Sequence, residues 1–235
     1  MGKMKIRVLV VLGGLLAGCG SSPTDGGGPF APGGSTAAAL VGKWKLTRST
    51  GEPKNFYVFS NDGRFTVYKA NDVEVEVRGT YTADANKIAV DATDGSNRIQ
   101  GSATYAVSGD ELAIGLDDDS PVFVQINSLP NGSRFFRSEM AMTEFRGGVA
   151  TESGSITADL EVRPNGTWKT VATMSSSQNG VARPVENNVV EGIEWREISP
   201  GRYLTRKSAS NAPVYLRLLG GRAVAMERYV MTRVR

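Results

Sequence analysis

Residues Val73-Glu74-Val75-Glu76-Val77-Arg78 alternate apolar and charged side chains with a period of two. Successive side chains of a strand leave opposite faces, so the pattern predicts a half-buried strand with its valines toward a core and its charges in water. Short stretches rich in Val, Thr, Phe and Tyr follow one another from Leu40 onward, and none carries a helical stripe. They predict strands around Trp44 and at residues 56–59, 65–68, 87–90, 103–107, 112–116 and 122–126. Later strands are expected at residues 135–145, 156–162, 168–174, 189–195, 203–206, 214–219 and 223–234. Asn61-Asp62-Gly63, Ser108-Gly109-Asp110, Asn131-Gly132, Asn165-Gly166 and Gly220-Gly221 punctuate the series and permit the positive φ angles of tight hairpins. The expected fold class is therefore all-β, an antiparallel up-and-down meander that must either leave edges exposed or close on itself.

Two halves share a plan. Phe59-Ser60-Asn61-Asp62-Gly63-Arg64-Phe65 lines up with Val162-Arg163-Pro164-Asn165-Gly166-Thr167-Trp168. Further on, Pro121 to Ile126 lines up with Pro213 to Leu218, and Met142-Thr143-Glu144-Phe145 with Met231-Thr232-Arg233-Val234. A first β-domain is placed at residues 40–146 and a second, divergent one at residues 147–235, with chance similarity between strands as the alternative. Val41-Gly42-Lys43-Trp44-Lys45-Leu46, Phe59 to Phe65, Gly79-Thr80-Tyr81 and Tyr105 to Leu112 together resemble a bacterial lipocalin-like domain, the Gly-x-Trp beside the first strand prompting the comparison. The resemblance implies small up-and-down barrels, here two in tandem or partly open, with room for a small apolar or amphipathic ligand.

Ahead of the strands stand Lys3, Lys5 and Arg7 and then an apolar run from Val8 to Ala17. That run is shorter than the roughly 20 residues a spanning helix needs, and it reads as a secretory signal. Leu16-Ala17-Gly18-Cys19 resembles the lipobox of bacterial lipoproteins. The resemblance implies residues 1–18 as signal peptide, cleavage between Gly18 and Cys19, diacylglycerol on the Cys19 thiol and an acyl chain such as palmitate on the new amino group. Two or three chains anchor stably where one does not. Cys19 is the only cysteine, so no disulfide forms within the chain. Residues 19–39 are mostly Gly, Ser, Pro, Ala and Thr, the composition of a flexible tether. Gly20, where an Asp would favour retention in the inner membrane, leans the expected location toward the outer membrane.

Charge changes the picture only by its distribution. The chain is formally +3, and Lys3, Lys5 and Arg7 account for that, so the processed chain is neutral and carries no nucleic-acid footprint. Residues 40–132 hold 9 basic and 13 acidic side chains, whereas residues 133–235 hold 15 and 10, with 13 arginines among the 15. Arginine suits phosphate and carboxylate recognition, so the second half is a candidate surface for an anionic envelope component, for an acidic partner or for the first half itself, against the plainer reading of a solvated surface.

Catalytic chemistry has little to stand on. The chain contains no histidine, which removes the usual general base and metal ligand, and no nucleophile elbow or phosphate loop occurs. Glu74 and Glu76 would lie on one strand face about 7 Å apart, near the separation of an inverting glycosidase pair, yet a solvent-facing charged stripe explains them more simply. Asp117-Asp118-Asp119 lacks the alternating ligand pattern of a calcium loop. No catalytic residue, metal or cofactor is expected. The leading expectation is a non-enzymatic, lipid-anchored envelope protein that binds a small apolar ligand in a barrel; a structural adaptor comes second, and a carboxylate-based carbohydrate-active enzyme third.

Overall fold

The computed structural model describes residues 38–47, 53–94, 97–115 and 121–235. Seven strands come first: β1 (Gly42–Thr47), β2 (Pro53–Phe59), β3 (Arg64–Lys69), β4 (Val75–Ala83), β5 (Lys87–Asp94), β6 (Asn97–Ser108) and β7 (Glu111–Ile114). Each pairs antiparallel with the next, as short strands joined by tight turns must. Ten more follow: β8 (Phe123–Ser128), β9 (Arg134–Arg146), β10 (Val149–Val162), β11 (Trp168–Gln178), β12 (Val181–Ala182), β13 (Glu186–Gly192), β14 (Glu194–Ser199), β15 (Arg202–Arg206), β16 (Val214–Leu219) and β17 (Ala223–Met226). A 3-10 turn at Glu227–Tyr229 then leads into β18 (Met231–Val234). The fold is all-β and antiparallel, as expected, and one barrel closes fully.

That barrel is closed from far along the chain. β18 pairs with β7 at Met231↔Leu112 and with β1 from Lys43↔Val234 to Leu46↔Met231, completing eight staves. A second circuit of pairings runs β8, β9, β10, β11 and β13, continues through Ile193 into β14, and returns by β15, β16 and β17 to β8. The closing staves are thus exchanged: β8 leaves β7 for the second circuit, and β18 leaves β17 for the first. Their docking matches. Met231 and Thr232 face Leu112 and Glu111, while Phe123 and Val124 face Val224 and Ala223. The Arg233 N–H donates to the Asp110 carbonyl at 2.9 Å, and the Gln125 N–H to the Arg222 carbonyl at 2.8 Å. Where the two crossing segments pass, the packed side chains include Ala106, Ala113, Ala223 and Ala225, small enough to let backbones approach.

The Asn-Asp-Gly and Asn-Gly hairpins also match in detail. Phe59 faces Phe65 across one turn and Val162 faces Trp168 across the other. In each the turn glycine, with φ near 80°, accepts through its carbonyl from the next strand, at 2.7 Å from the Tyr81 N–H and 2.6 Å from the Trp195 N–H. The other two expected correspondences are not equivalent in space. β8 occupies the position of β18 rather than that of β16, and Met142 to Phe145 lie in β9 rather than in a closing stave. The boundary expected at 146/147 falls in the turn between β9 and β10, inside the second circuit.

The valine alternation is only half expressed. β4 starts at Val75, Val77 is buried, and Val73 is 79% exposed. The Asn71 side chain accepts from the Val73 and Glu74 N–H groups and Asp72 adopts φ 59°, so these residues belong to a turn that the periodicity alone conceals.

Two cores result. The first has eighteen buried residues inside the closed barrel, with Trp44, Ile88 and Leu112 wholly enclosed. The second gathers Phe136, Leu160, Val162, Trp195, Tyr203 and Val224 at the Asn165-Gly166 end of the other circuit. One clasp ties the first barrel shut. The Trp44 indole N–H donates to the Leu40 carbonyl at 2.7 Å, and the Arg233 guanidinium lies 4.2 Å from the Trp44 ring centroid. Arg233 also donates to the carbonyls of Ala39 and Val41, both at 2.7 Å.

Candidate functional site

Within the first barrel the inward side chains pack on one another, Phe59 edge-on to Tyr81 at 5.1 Å, so along this stretch the interior is core. On the wall of the second circuit a cleft of about 540 Å³ is bounded by β8, β9, β10 and β11. Its position follows from register. Phe136, Leu160 and Val162 turn inward, so Phe135, Asp159, Glu161, Lys169 and Val171 face outward in two cross-strand rows. β8 bulges between Gln125 and Asn127, and Ile126 and Leu129 overhang the rows from that side. Ile126 is 55% exposed, Leu129 42% and Val171 38%.

Fixed charges of both signs frame this apolar floor. Arg137 pairs with Asp159 at 2.7 Å, Arg163 with Glu161 at 2.8 Å and Lys169 with Glu191 at 3.5 Å. The Arg163 hydrogen bond holds the Glu161 carboxyl below its ordinary range against the opposing pull of burial, with Lys169 adding to the effect. An apolar floor with a few oriented polar groups suits an amphipathic guest.

The carboxylates expected as an enzymatic pair are engaged separately. Glu74 sits in the turn before β4 and pairs with Lys69, while Glu76 accepts from the Asn55 side-chain amide at 2.7 Å. Among the described residues no group of three or more His, Cys, Asp or Glu side chains is placed to hold a metal. Asp117, Asp118, Asp119, Gly18 and Cys19 lie outside the described residues.

Of the thirteen arginines in residues 133–235, nine are ion-paired within the chain. Three of these pairs reach the first half: Arg217 meets Glu111 at 2.8 Å, Arg233 meets Asp110 at 3.7 Å, and Arg235 also pairs with Asp110. The charge asymmetry between the halves is thus partly consumed at their junction. Arg233 carried no signal legible in the sequence, since the carbonyls it bonds, Ala39 and Val41 just ahead of β1, stand more than 190 residues away.

Residues 40–135 match the family model of the lipocalin-like domain. That fold is a ligand-binding one, and its members are typically non-enzymatic. The match takes in β1 to β8, whereas the stave that closes the barrel is β18. No curated protein and no solved structure matches the chain. Among the described residues no helix is long and apolar enough to cross a membrane.

Proposed function

We propose that the chain is a non-enzymatic, lipid-anchored binding protein of the bacterial cell envelope, tethered through acylated Cys19 and holding a small apolar or amphipathic molecule in the cleft beside β8. The observation that carries this reading is a cleft that leaves Ile126, Leu129 and Val171 in water beside fixed ion pairs. Exposed apolar surface costs about 25 cal/mol per Å², and patches of it rimmed by charge mark binding sites. Lipidation at Cys19, with residues 20–39 as tether and Gly20 favouring the outer membrane, puts the cleft near amphipathic molecules of the envelope. Native mass spectrometry after gentle extraction tests the ligand: a co-purifying small molecule, lost in Val171→Asp, is expected. Labelled palmitate tests the anchor, and incorporation that persists in Cys19→Ser rules it out.

The arginines of the second half also favour an adaptor, which would meet an anionic envelope component or a protein. Among the described residues Arg134, Arg183, Arg222 and Arg228 have no carboxylate partner. A preparation repeatedly free of small molecules but carrying one specific protein decides for that reading.

A further inference from the structure

The opposite face of the same strands holds polar groups that the fold leaves unsatisfied. Toward the ends of β9, β10 and β11 remote from the Asn165-Gly166 turn, Glu144 stands opposite Glu152, and Met142 opposite Gly154, which faces Ser176. In the next inward row Met140 faces Ile156, which faces Met174. This face continues across β6, where Ile99, Gly101 and Ala103 pair with Glu144, Met142 and Met140. Glu144 is 5% exposed and accepts from Arg146 Nε at 2.9 Å. Glu152 is half-buried and receives no hydrogen bond among the described residues. Ser176, the diagonal neighbour of Glu152, is 6% exposed, and its hydroxyl has no hydrogen-bond partner among the described residues.

Like charges on facing strands repel, and buried polar atoms are almost always hydrogen-bonded. A carboxylate that accepts no hydrogen bond, beside a buried hydroxyl that makes none among the described residues, suits a donor with several N–H groups and a positive charge. The thioethers next to it are flexible and polarisable, a floor that adapts to an alkyl chain. We propose that Glu152 and Ser176 bind the ammonium head of a primary amine whose apolar chain lies along Met140, Met142, Ile156 and Met174. Burial and the Glu144 charge push the Glu152 carboxyl up, while Arg183 and Arg146 pull it down; a bound ammonium would add to the downward pull and keep it ionised.

Calorimetric titration of the full chain at neutral pH with octylamine, octan-1-ol and octanoic acid tests the site. Octylamine is expected to bind at least about tenfold more tightly than the other two, a difference of about 1.4 kcal/mol. Glu152→Gln, which removes a repulsion and should fold, is expected to abolish that preference, and Ser176→Ala to reduce it severalfold. Val171→Asp on the outer face is expected to leave it unchanged, which separates this site from the cleft proposed above. Equal binding of the three probes, or an amine preference that survives Glu152→Gln or disappears in Val171→Asp, overturns the proposal.

Discussion

A single guanidinium on the last strand does three jobs at the first. Arg233 covers the Trp44 ring, donates to the carbonyls of Ala39 and Val41, and faces Asp110 from the β6–β7 turn. Charge-assisted hydrogen bonds in partly buried positions contribute more than neutral ones, so Arg233→Ala is expected to cost about 2 kcal/mol or more. Urea denaturation followed by Trp fluorescence measures it, and a loss within experimental error would show that β18 is held by its backbone pairing alone. Two carboxylates should respond oppositely to pH. Asp91 is lowered chiefly by its hydrogen bond to Arg98, so its stabilisation is complete above the unfolded-state value and is lost as pH falls through the folded one. Glu152 is raised by burial and by Glu144, so the stability it lends is complete below the unfolded-state value and is lost as pH rises through the folded one. Without bound ligand, Glu152→Gln is therefore expected to raise Tm at neutral pH and to leave it unchanged below the ordinary glutamate range. A Tm gap that persists in acid would assign the effect to packing instead.

Strands and turns were legible in the sequence because the physics that forms them is local. Asn-Gly pairs take positive φ wherever they sit, and runs of Val, Thr and aromatic residues suit a pleated, half-buried surface. Val73 misled because period-two alternation continues into a turn whose geometry Asn71 and Asp72 set. The outward cleft was legible only in part, since Ile126 reaches it through a bulge that no periodicity announces. Gly192 shows another constraint that composition conceals. A Cβ there would lie 2.0 Å from the Trp168 ring, whose indole N–H donates to the Glu194 carbonyl at 3.0 Å. Gly192→Ala must displace that ring and is expected to cost about 1–3 kcal/mol, as overpacked positions do. Calorimetry reads the Tm drop, and near-UV dichroism should show the tryptophan disturbed; a variant as stable as the parent would mean that β13 can shift away from β11.

At the scale of the whole molecule, the exchanged closing strands decide how the protein unfolds. The first barrel is closed by β18 and the second circuit by β8, so the two circuits are linked through both exchanged strands. Nothing in the sequence could reveal this, because β8 and β18 have similar strand patterns and either would satisfy the same gap. The choice is made by a long-range contact on one side, the Trp44–Arg233 clasp, and by the local β8–β9 hairpin on the other. Independent barrels would melt in separate steps, whereas interlocked ones share their free energy and melt together. The full chain is therefore expected to give one calorimetric transition whose van't Hoff and calorimetric enthalpies agree. A chain ending at Met226 should lose amide protection along β1 and β7, the two strands that β18 bridges, while β14 to β16 keep theirs. A peptide spanning residues 227–235, added in trans, should restore that protection. Full protection of β1 and β7 in the truncated chain would mean that β8 has swung back to close the first barrel itself, and the exchange would then be one of two accessible arrangements rather than a requirement of the fold.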